Sequence, residues 1–250
     1  MLNNGSVIVD CFPSAALRYQ DDYAIVAVDV IRATTLAITA VADGRRCLVA
    51  ASLEDADVIR DGLGDALLAG ELGGNMPYGF EMNNSPADLV ARVDFERPLV
   101  MLSTSGTELM LAAGGSVHGA YAACFRNFTA TARHLVGRHE RVAIIGAGSR
   151  GEFREEDQMC CAWIADLLME AGYRVEDDAT GRLVERWRGV PAAAIETGNS
   201  VGYLRRTGQL RDFDFTVAHV DDLDLVCAIE GNELCAEGLF EPRSTDSWLS

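Results

Sequence analysis

The sequence lacks several features that mark whole classes of protein. No uninterrupted apolar run approaches the roughly 18 residues of a transmembrane helix, so we predict no membrane span. The opening residues, MLNNGSVIVDCF, contain neither a basic region nor a cleavable apolar block, so we predict no signal peptide. We therefore expect a protein that acts away from the membrane.

Positive charge is scarce. Lysine and arginine number 21 against 38 aspartate and glutamate residues, which gives a net charge of -17. Proteins that bind nucleic acid or anionic lipid usually present a basic face, so neither partner is expected. A small anionic substrate stays open, because a metal ion or an arginine can reverse the electric field inside a cleft.

Paired metal ligands are also missing. The seven cysteines include no C-x-x-C pair, and the four histidines are scattered without metal-ligand spacing. Most of the cysteines lie in apolar patterns, which is typical of small core residues in a reduced, cytoplasmic protein. We do not expect a zinc site.

Short apolar segments, by contrast, are abundant. Seven of them predict strands: 7–12, 24–30, 46–51, 66–71, 98–103, 120–125 and 141–147. They are continuous rather than alternating and are separated by helical patterns, which predicts an α/β fold of βαβ units with a largely parallel sheet and helices on both faces. The segment DFTVAHV, 214–220, is a last strand candidate.

We expect a single domain over residues 1–240. The pattern is less regular over 174–240, which we interpret as a C-terminal part packed on the rest, and residues 241–250 as a mobile tail. Candidate helix starts follow the strands at Thr34, Ser52, Ser85, Ser105, Asn127 and Gly151. In a parallel sheet such starts converge at the carboxyl edge, where free N–H groups and helix dipoles favour an anion.

The stretch VDVIRATT places chemistry at one of these strand ends. Asp29 closes the strand, Arg32 lies in the turn, and Thr34 adds a hydroxyl at the helix start. A guanidinium matches phosphate oxygens, and an acid in this position can hold Mg²⁺ or attack phosphorus. A local ion pair between Asp29 and Arg32 is the alternative interpretation.

Two further stretches carry polar groups at strand ends. LLAGELGGNMPYGFEMNNSP, 67–86, contributes Glu71 and a glycine-rich passage that ends in Asn84 and Ser85. MLSTSGTELM, 101–110, clusters hydroxyls around Gly106, on Ser103, Thr104, Ser105 and Thr107. Hydroxyls beside glycine at a helix start suit phosphate oxygens, although helix capping alone accounts for one of them.

RVAIIGAGSRG contains Gly146-x-Gly148-x-x-Gly151 directly after a strand, which is the dinucleotide fingerprint. A nucleotide-dependent oxidoreductase is therefore one alternative. The residues that follow, EFREED, would place four carboxylates against a pyrophosphate. The same acids, including Glu156 and Asp157, suit a divalent metal that itself holds phosphate, with Arg150 as an anion-binding neighbour.

Taken in order, VDVIRATT, GE…GF…NNSP, STSGT and GAGSRGEFREED resemble the 2-phosphosulfolactate phosphatase family over roughly residues 5–235. The chain departs from that family's usual pattern at Asn83, where glycine is usual, at Ser105, where asparagine is usual, and at Gly146, where cysteine is frequent. The resemblance implies a Mg²⁺-dependent α/β phosphatase of the cytosolic coenzyme M pathway. The departures bear on the substrate more than on the type of reaction.

On this basis we expect hydrolysis of a small phosphorylated, sulfonated acid such as 2-phospho-3-sulfolactate. Asp29 and Arg32 are the expected catalytic residues, and Asp29, Glu71 and Asp157 the expected Mg²⁺ ligands. The expected substrate-binding residues are Thr34, Asn84, Ser85, Thr104, Ser105, Thr107, Asn127 and Arg150. A non-catalytic anion-binding protein of the same fold is a further alternative, and a homodimer is compatible with the sequence.

Overall fold

The computed structural model describes residues 5–238. The tail predicted for 241–250 lies outside the described residues. The strands are β1 (Ser6–Cys11), β2 (Ala24–Val28), β3 (Cys47–Val49), β4 (Leu67–Gly70), β5 (Leu99–Leu102), β6 (Ala120–Ala123), β7 (Arg141–Gly146), β8 (Arg174–Val175), β9 (Cys227–Glu230) and β10 (Glu233–Ala236). All seven strands predicted between residues 7 and 147 are therefore confirmed.

The helices are α1 (Pro13–Tyr19), α2 (Ala33–Ala42), α3 (Leu53–Leu63), α4 (Pro86–Leu89), α5 (Gly106–Ala113), α6 (Phe128–Leu135), α7 (Glu155–Glu170), α8 (Asp178–Trp187), α9 (Asn199–Arg206) and α10 (Arg211–Ala218). A short 3-10 helix, Ala192–Thr197, precedes α9. Within residues 5–238, no helix has the length and apolar character needed to cross a membrane.

One ten-stranded sheet runs through the molecule in the order β4-β5-β3-β10-β9-β6-β2-β7-β1-β8. The pairs within β4-β5-β3 and within β6-β2-β7-β1-β8 are parallel. The hairpin β9–β10 joins these two blocks through antiparallel pairs with β3 and β6. The fold is thus α/β and largely parallel as expected, but its two parallel blocks run in opposite directions.

The two blocks nevertheless bring their strand ends together. Neighbouring strands are rotated by roughly 20–25°, so the five steps from β5 to β2 accumulate a rotation on the order of 100°. The carboxyl ends of the two blocks would lie at opposite edges of a flat sheet, but this rotation allows them to meet at one corner. The contact is direct, because a Cβ built on Gly106, after β5, would lie 2.2 Å from Oδ2 of Asp29, after β2.

Helices cover both faces of the sheet. Along β2, Ile25 and Ala27 belong to a buried cluster with residues of α1, α2 and α5, whereas Val26 and Val28 belong to a cluster with residues of α6, α7 and α8. Every residue of β2 is buried, which explains why the segment is continuously apolar instead of alternating. Burial of each such Val or Ile side chain contributes about 1.5–3 kcal/mol.

The predicted strand at 214–220 is wrong. Those residues belong to α10 and to the loop after it, and the buried residues Asp212, Phe213, Phe215 and Thr216 follow helical spacing. The last strands are instead the hairpin β9–β10, which was not predicted. Its turn is Gly231-Asn232, with Gly231 at φ 63°, a two-residue signal that the sequence does contain.

The helix starts agree with the predicted capping at two serines. Ser52 accepts a hydrogen bond from the N–H of Asp55, and Ser85 accepts one from the N–H of Asp88. Helix α7 begins only at Glu155, so Gly151 lies in the loop before it rather than beside the helix start. The first turn of α7 carries Glu155, Glu156 and Asp157.

Thr34 joins β2 to β6, and its replacement tests this link. Its hydroxyl accepts the N–H of Asp29 and lies 2.8 Å from both the carbonyl of Asp29 and that of Ala123. Thr34→Val keeps the shape but leaves buried polar groups unpaired, so we expect a loss of about 1–3 kcal/mol of unfolding free energy in urea titrations.

Thr131→Val is the matched control for this change. Thr131 is equally buried in α6, and its hydroxyl has no hydrogen-bond partner among the described residues. Its replacement should be neutral or stabilising, because an unsatisfied buried hydroxyl is removed. Equal losses for the two variants would contradict the role given to Thr34.

Candidate active site

A cavity of about 480 Å³ opens at the corner where the strand ends meet. Its lining comes from the segments that follow β2, β4, β5 and β7 and from helix α9. Eight of the twelve predicted site residues line it: Asp29, Arg32, Glu71, Asn84, Thr104, Ser105, Arg150 and Asp157. The fold therefore gathers residues that are as much as 128 positions apart in the sequence, between Asp29 and Asp157.

Asp29 lies on the floor of this cavity and is only 9% exposed. Its Oδ1 accepts a hydrogen bond at 3.2 Å from the N–H of Ala33, which is the first residue of α2. Burial raises the pKa of Asp29 from 3.8 to about 7, and the charges of Glu71 and Glu156 add to the increase, while the N–H of Ala33 and the charge of Arg32 oppose it. The site thus confines negative charge that it does not itself neutralise.

The carboxylate of Asp157 connects the segment after β2 to the segment after β7. Oδ1 accepts the N–H of Val30 at 2.8 Å, and Oδ2 accepts the N–H of Gly148 at 3.2 Å. Burial raises the pKa of Asp157 well above its ordinary value, and the nearby charges of Asp29 and Glu156 raise it further. Asp157 thus fixes the ends of β2 and β7 relative to each other while it lines the cavity.

Glu71 plays a similar part on the opposite block of the sheet. Oε1 accepts the N–H of Thr104 at 2.8 Å, and Oε2 accepts the N–H of Gly74 at 2.6 Å and the hydroxyl of Thr104 at 3.0 Å. The hydroxyl of Thr104 in turn accepts the N–H of Gly73. The start of the glycine-rich passage is therefore fixed by Glu71 and Thr104, although most residues from 72 to 79 are exposed at the surface.

Arg32 does not form the local ion pair with Asp29 that was the alternative interpretation. Its Nη1 lies 2.5 Å from Oδ2 of Asp212 and 2.6 Å from Oε1 of Gln209, and its Nη2 donates to Asn83. The other oxygen of Asp212 accepts the hydroxyl of Ser85 at 2.6 Å. This buried pair joins the end of β2 to α10, which the sequence did not reveal.

The other four predicted substrate-binding residues do not line the cavity. Thr34 and Ser85 make the contacts described above. Thr107 exchanges hydrogen bonds with Ser103 at the start of α5, and Asn127 donates to the carbonyls of Ala122 and Leu225 and accepts the N–H of Cys124. The structure gives these four residues the role of holding the strand ends in place.

Two buried oxygens near the cavity have no hydrogen-bond partner among residues 5–238. They are Oδ1 of Asn84, a residue 4% exposed that lines the cavity, and Oε2 of Glu156, which is 1% exposed. Burial raises the pKa of Glu156 as well. Unpaired buried acceptors are costly, so Oδ1 of Asn84, in the lining of the cavity, can accept from a ligand or bind a cation.

Sequence reasoning missed the wall that helix α9 supplies. Asn199, Ser200, Tyr203 and Arg206 line the cavity, and the hydroxyl of Tyr203 donates to the carbonyl of Gly74 at 2.5 Å. The amphipathic pattern of this segment indicates a helix, but no local signal places that helix over strand ends that are more than fifty residues away. The cavity is also lined by three residues of the segment GAGSRGEFREED, namely Ser149, Glu152 and Arg154.

The loop GAGSRG does not offer the free N–H of Gly148 that a pyrophosphate would bind. The N–H of Gly148 points to the carboxylate of Asp157, and Ser149 and Glu152 pair with each other across the turn. The helix that follows starts with three acids, Glu155, Glu156 and Asp157. A dinucleotide-binding loop needs free N–H groups and a favourable helix dipole, and here carboxylates occupy that position.

Four carboxylates, Asp29, Glu71, Glu152 and Asp157, and four arginines, Arg32, Arg150, Arg154 and Arg206, line one cavity at the strand ends of an α/β sheet. A concave site with a few convergent charged groups is typical of an enzyme that binds a small polar ligand. The family model described as 2-phosphosulpholactate phosphatase matches residues 12–232. The chain belongs to this family, and it is an enzyme of the phosphoric monoester hydrolase class.

Individual relatives agree with the family match. A protein named probable 2-phosphosulfolactate phosphatase from Deinococcus radiodurans is 33% identical over 211 residues, which cover 83% of this chain and 86% of the relative. Proteins of the same name from Synechococcus sp. (strain WH7803) and Thermus thermophilus are 31% and 33% identical, covering 86% and 83% of this chain and 89% and 87% of the relatives. The similarity therefore extends through the segments that line the cavity.

Gly106 allows α5 to approach Asp29, and adding one methyl group tests that approach. A Cβ at this position would lie 2.2 Å from Oδ2 of Asp29 and 2.3 Å from Cβ of Ala33. Gly106→Ala should cost about 1–3 kcal/mol of stability through overpacking. It should also reduce kcat/KM, because Asp29 has to move.

Gly62→Ala provides the control. Gly62 lies in α3, and nothing is within 4 Å of an added Cβ. This variant should keep full activity and gain up to about 1 kcal/mol from helix propensity. If Gly106→Ala behaves in the same way, the close approach of α5 to Asp29 is not a constraint on the site.

Arg32→Ala tests the buried ion pair. It leaves the carboxylate of Asp212 buried without its cation, so we expect a loss of about 3–5 kcal/mol in urea unfolding. The variant Arg46→Ala removes an exposed pair with Glu233 and should cost about 0–1 kcal/mol. Adding Asp212→Ala to Arg32→Ala should recover part of the loss, and no recovery would argue against the pairing.

Proposed function

We propose that this protein is a Mg²⁺-dependent phosphatase that hydrolyses 2-phospho-3-sulfolactate to sulfolactate and phosphate. The proposed substrate is the one in the names of its relatives. The observation that supports the metal is an acidic floor of four carboxylates in one cavity, those of Asp29, Glu71, Glu152 and Asp157. The raised pKa of the buried Asp29 agrees with this grouping. Such a floor repels a phosphate unless a cation lies between them.

The donor set suits Mg²⁺. Asp29, Glu71 and Asp157 supply hard carboxylate oxygens, and the unpartnered Oδ1 of Asn84 adds an amide oxygen in the same cavity. Within the described residues, no group of three acidic, histidine or cysteine side chains forms a preassembled metal cage. Mg²⁺ does not need one, because it is usually held by one or two carboxylates together with waters and substrate phosphate.

Different residues bind the phosphate, bind the rest of the substrate and hold the site in place. Ser105 and the N-terminal turn of α5 offer donors to phosphate oxygens next to Asp29. Arg150 faces the substrate as an anion-binding residue, whereas Arg32 holds α10 in place through Asp212. When bound, Mg²⁺ offsets phosphate charge and stabilises the leaving oxygen. Asp29 has two candidate roles, metal ligand and nucleophile.

Dependence on a divalent cation is the first expectation. Excess EDTA should abolish phosphate release from 2-phospho-3-sulfolactate, and added Mg²⁺ should restore it. The assay measures inorganic phosphate, with a parallel sample in which EDTA is saturated with Mg²⁺ beforehand as the control. Full turnover in metal-free buffer would rule out the metal.

Asp29→Asn separates chemistry from stability. Loss of the charge should reduce kcat by several orders of magnitude if Asp29 is a ligand or a nucleophile. The free energy of unfolding should instead increase in this variant. Between pH 4 and 7, the unfolded chain has lost the Asp29 proton that the folded protein, with a pKa of about 7, still retains. Wild-type stability from this group is therefore highest at low pH and falls as the pH rises through that window.

Melting temperatures between pH 5 and 8, without metal, measure the effect. The Tm of Asp29→Asn should exceed that of the wild type by a margin that grows with pH, because the variant has no charge to bury. Asp224→Asn, at an exposed carboxylate, is the control and should show no such trend. A difference in Tm between Asp29→Asn and the wild type that does not change with pH would show that the Asp29 charge is not destabilising in the folded protein.

The coenzyme M pathway, a cytoplasmic location and a homodimer stay predictions. The pathway is consistent with the proposed substrate, and the cytoplasmic location with the buried, unbridged cysteines Cys11, Cys47, Cys124, Cys160, Cys161 and Cys227. The rival oxidoreductase function has less support, because the loop from Gly146 to Gly151 turns its N–H of Gly148 towards a carboxylate.

A further inference from the structure

Two of the four arginines that line the cavity have no acidic partner in the described part of the chain. Arg32 is paired with Asp212, and Arg154 is paired with Glu152. Arg150 and Arg206 also line the cavity, and among the residues 5–238 neither forms an ion pair or donates a side-chain hydrogen bond. Both side chains are exposed at the cavity, and neither is held by a carboxylate of its own among the described residues, so both guanidinium forks are free to bind an anionic ligand.

Arg206 owes its position to the shape of α9. A Cβ built on Gly202 would lie 3.4 Å from Nη1 of Arg206, so the guanidinium folds back over Gly202 along the helix. Helical side chains lean towards the N-terminus, and that direction leads to Ser200, which lines the same cavity. The adjacent Arg205 points elsewhere, since it lies 3.7 Å from Glu196 and does not line the cavity.

Arg150 reaches the cavity from a different wall. It lies between β7 and α7 with a φ of 52°, and the turn around it is closed by mutual hydrogen bonds of Ser149 and Glu152. A left-handed conformation is unfavourable for a non-glycine residue, so the closed turn, and not the preference of the residue itself, fixes the backbone of Arg150. The turn therefore holds Arg150 at one wall of the cavity while Arg206 projects from α9 at another.

We infer that Arg150 and Arg206 together bind the sulfonate of the substrate and so determine specificity. This inference rests on the proposed function, in which the acids at the strand ends hold the cation and the phosphate. A carboxylate has two oxygens, which a single guanidinium fork fills. A sulfonate has three oxygens in a tetrahedral arrangement, and two forks from separate walls match it better.

The experiment compares two esters that differ at one group. In 2-phospholactate a methyl group replaces the sulfonated carbon of 2-phospho-3-sulfolactate, while the phosphate and carboxylate are the same. The ratio of kcat/KM for the sulfonated over the unsulfonated ester should fall roughly tenfold to a hundredfold in Arg150→Gln and in Arg206→Gln, mainly through KM. Arg206→Lys, which keeps the charge but loses the fork, should give an intermediate ratio.

Arg205→Gln is the matched control, because it removes a neighbouring charge outside the cavity. Its ratio should equal that of the wild type. Circular dichroism and Tm of each variant confirm that it is folded. A ratio unchanged in Arg150→Gln and Arg206→Gln, or equal losses on both esters, would overturn the assignment.

Direct binding distinguishes this inference from the proposed function. If the wild type releases no phosphate from 2-phospho-3-sulfolactate, the proposed reaction fails, and calorimetric titration with 3-sulfolactate and with lactate then tests the sulfonate site alone. Wild-type binding of 3-sulfolactate but not lactate, lost in Arg206→Gln, supports the site. Equal binding of the two acids, or no binding of 3-sulfolactate, contradicts it.

Discussion

Asp29 carries a carboxylate that the fold buries at the end of a central strand, beside Glu71 and Glu156 and within reach of Asp157. The guanidinium of Arg32, whose charge lowers the pKa of Asp29, is already paired with Asp212. Burial and like charges disfavour the ionised form, which is why the pKa of Asp29 is raised. A divalent cation would reverse that preference, and it would turn an otherwise repulsive floor into a binding site for phosphate.

Much of the molecule serves to keep these groups in place. Asp157 ties β2 to the loop after β7, Glu71 and Thr104 fix the start of the glycine-rich passage, and Gly106 admits α5 to the side of Asp29. The Arg32–Asp212 pair adds α10 to this frame. Because each link joins segments far apart in sequence, the site exists only when both blocks of the sheet and the C-terminal helices are assembled.

The sequence predicted the parts of the site that local patterns encode. Continuous apolar segments identified the strands up to β7, and polar residues shortly after them identified Asp29, Glu71 and Ser105 as cavity residues. The acidic run EFREED identified Asp157, which lies in the first turn of α7. The four hydroxyl and amide residues assigned to substrate turned out to hold strand ends, since composition alone does not tell a capping hydroxyl from a binding one.

The parts that sequence reasoning missed depend on tertiary contacts. The partner of Arg32 lies 180 positions away, at Asp212, in a segment whose aromatic and β-branched residues imitate a strand. The hairpin β9–β10, which reverses the direction of one half of the sheet, consists of two four-residue strands that carry little signal apart from Gly231-Asn232. The lining of the cavity by α9 follows from neither charge nor periodicity, but from how the chain packs after α8.

The central claim is that a cation held by Asp29 lies between the acidic floor and the phosphate. It is tested most directly by the crystal structure of the protein with Mn²⁺ and vanadate, which mimics the reacting phosphate, using anomalous scattering to locate the metal. The account predicts a Mn²⁺ ion bound to an oxygen of Asp29 and to an oxygen of vanadate. Vanadate bound in the cavity without metal at Asp29, or Mn²⁺ bound away from that residue, would contradict it.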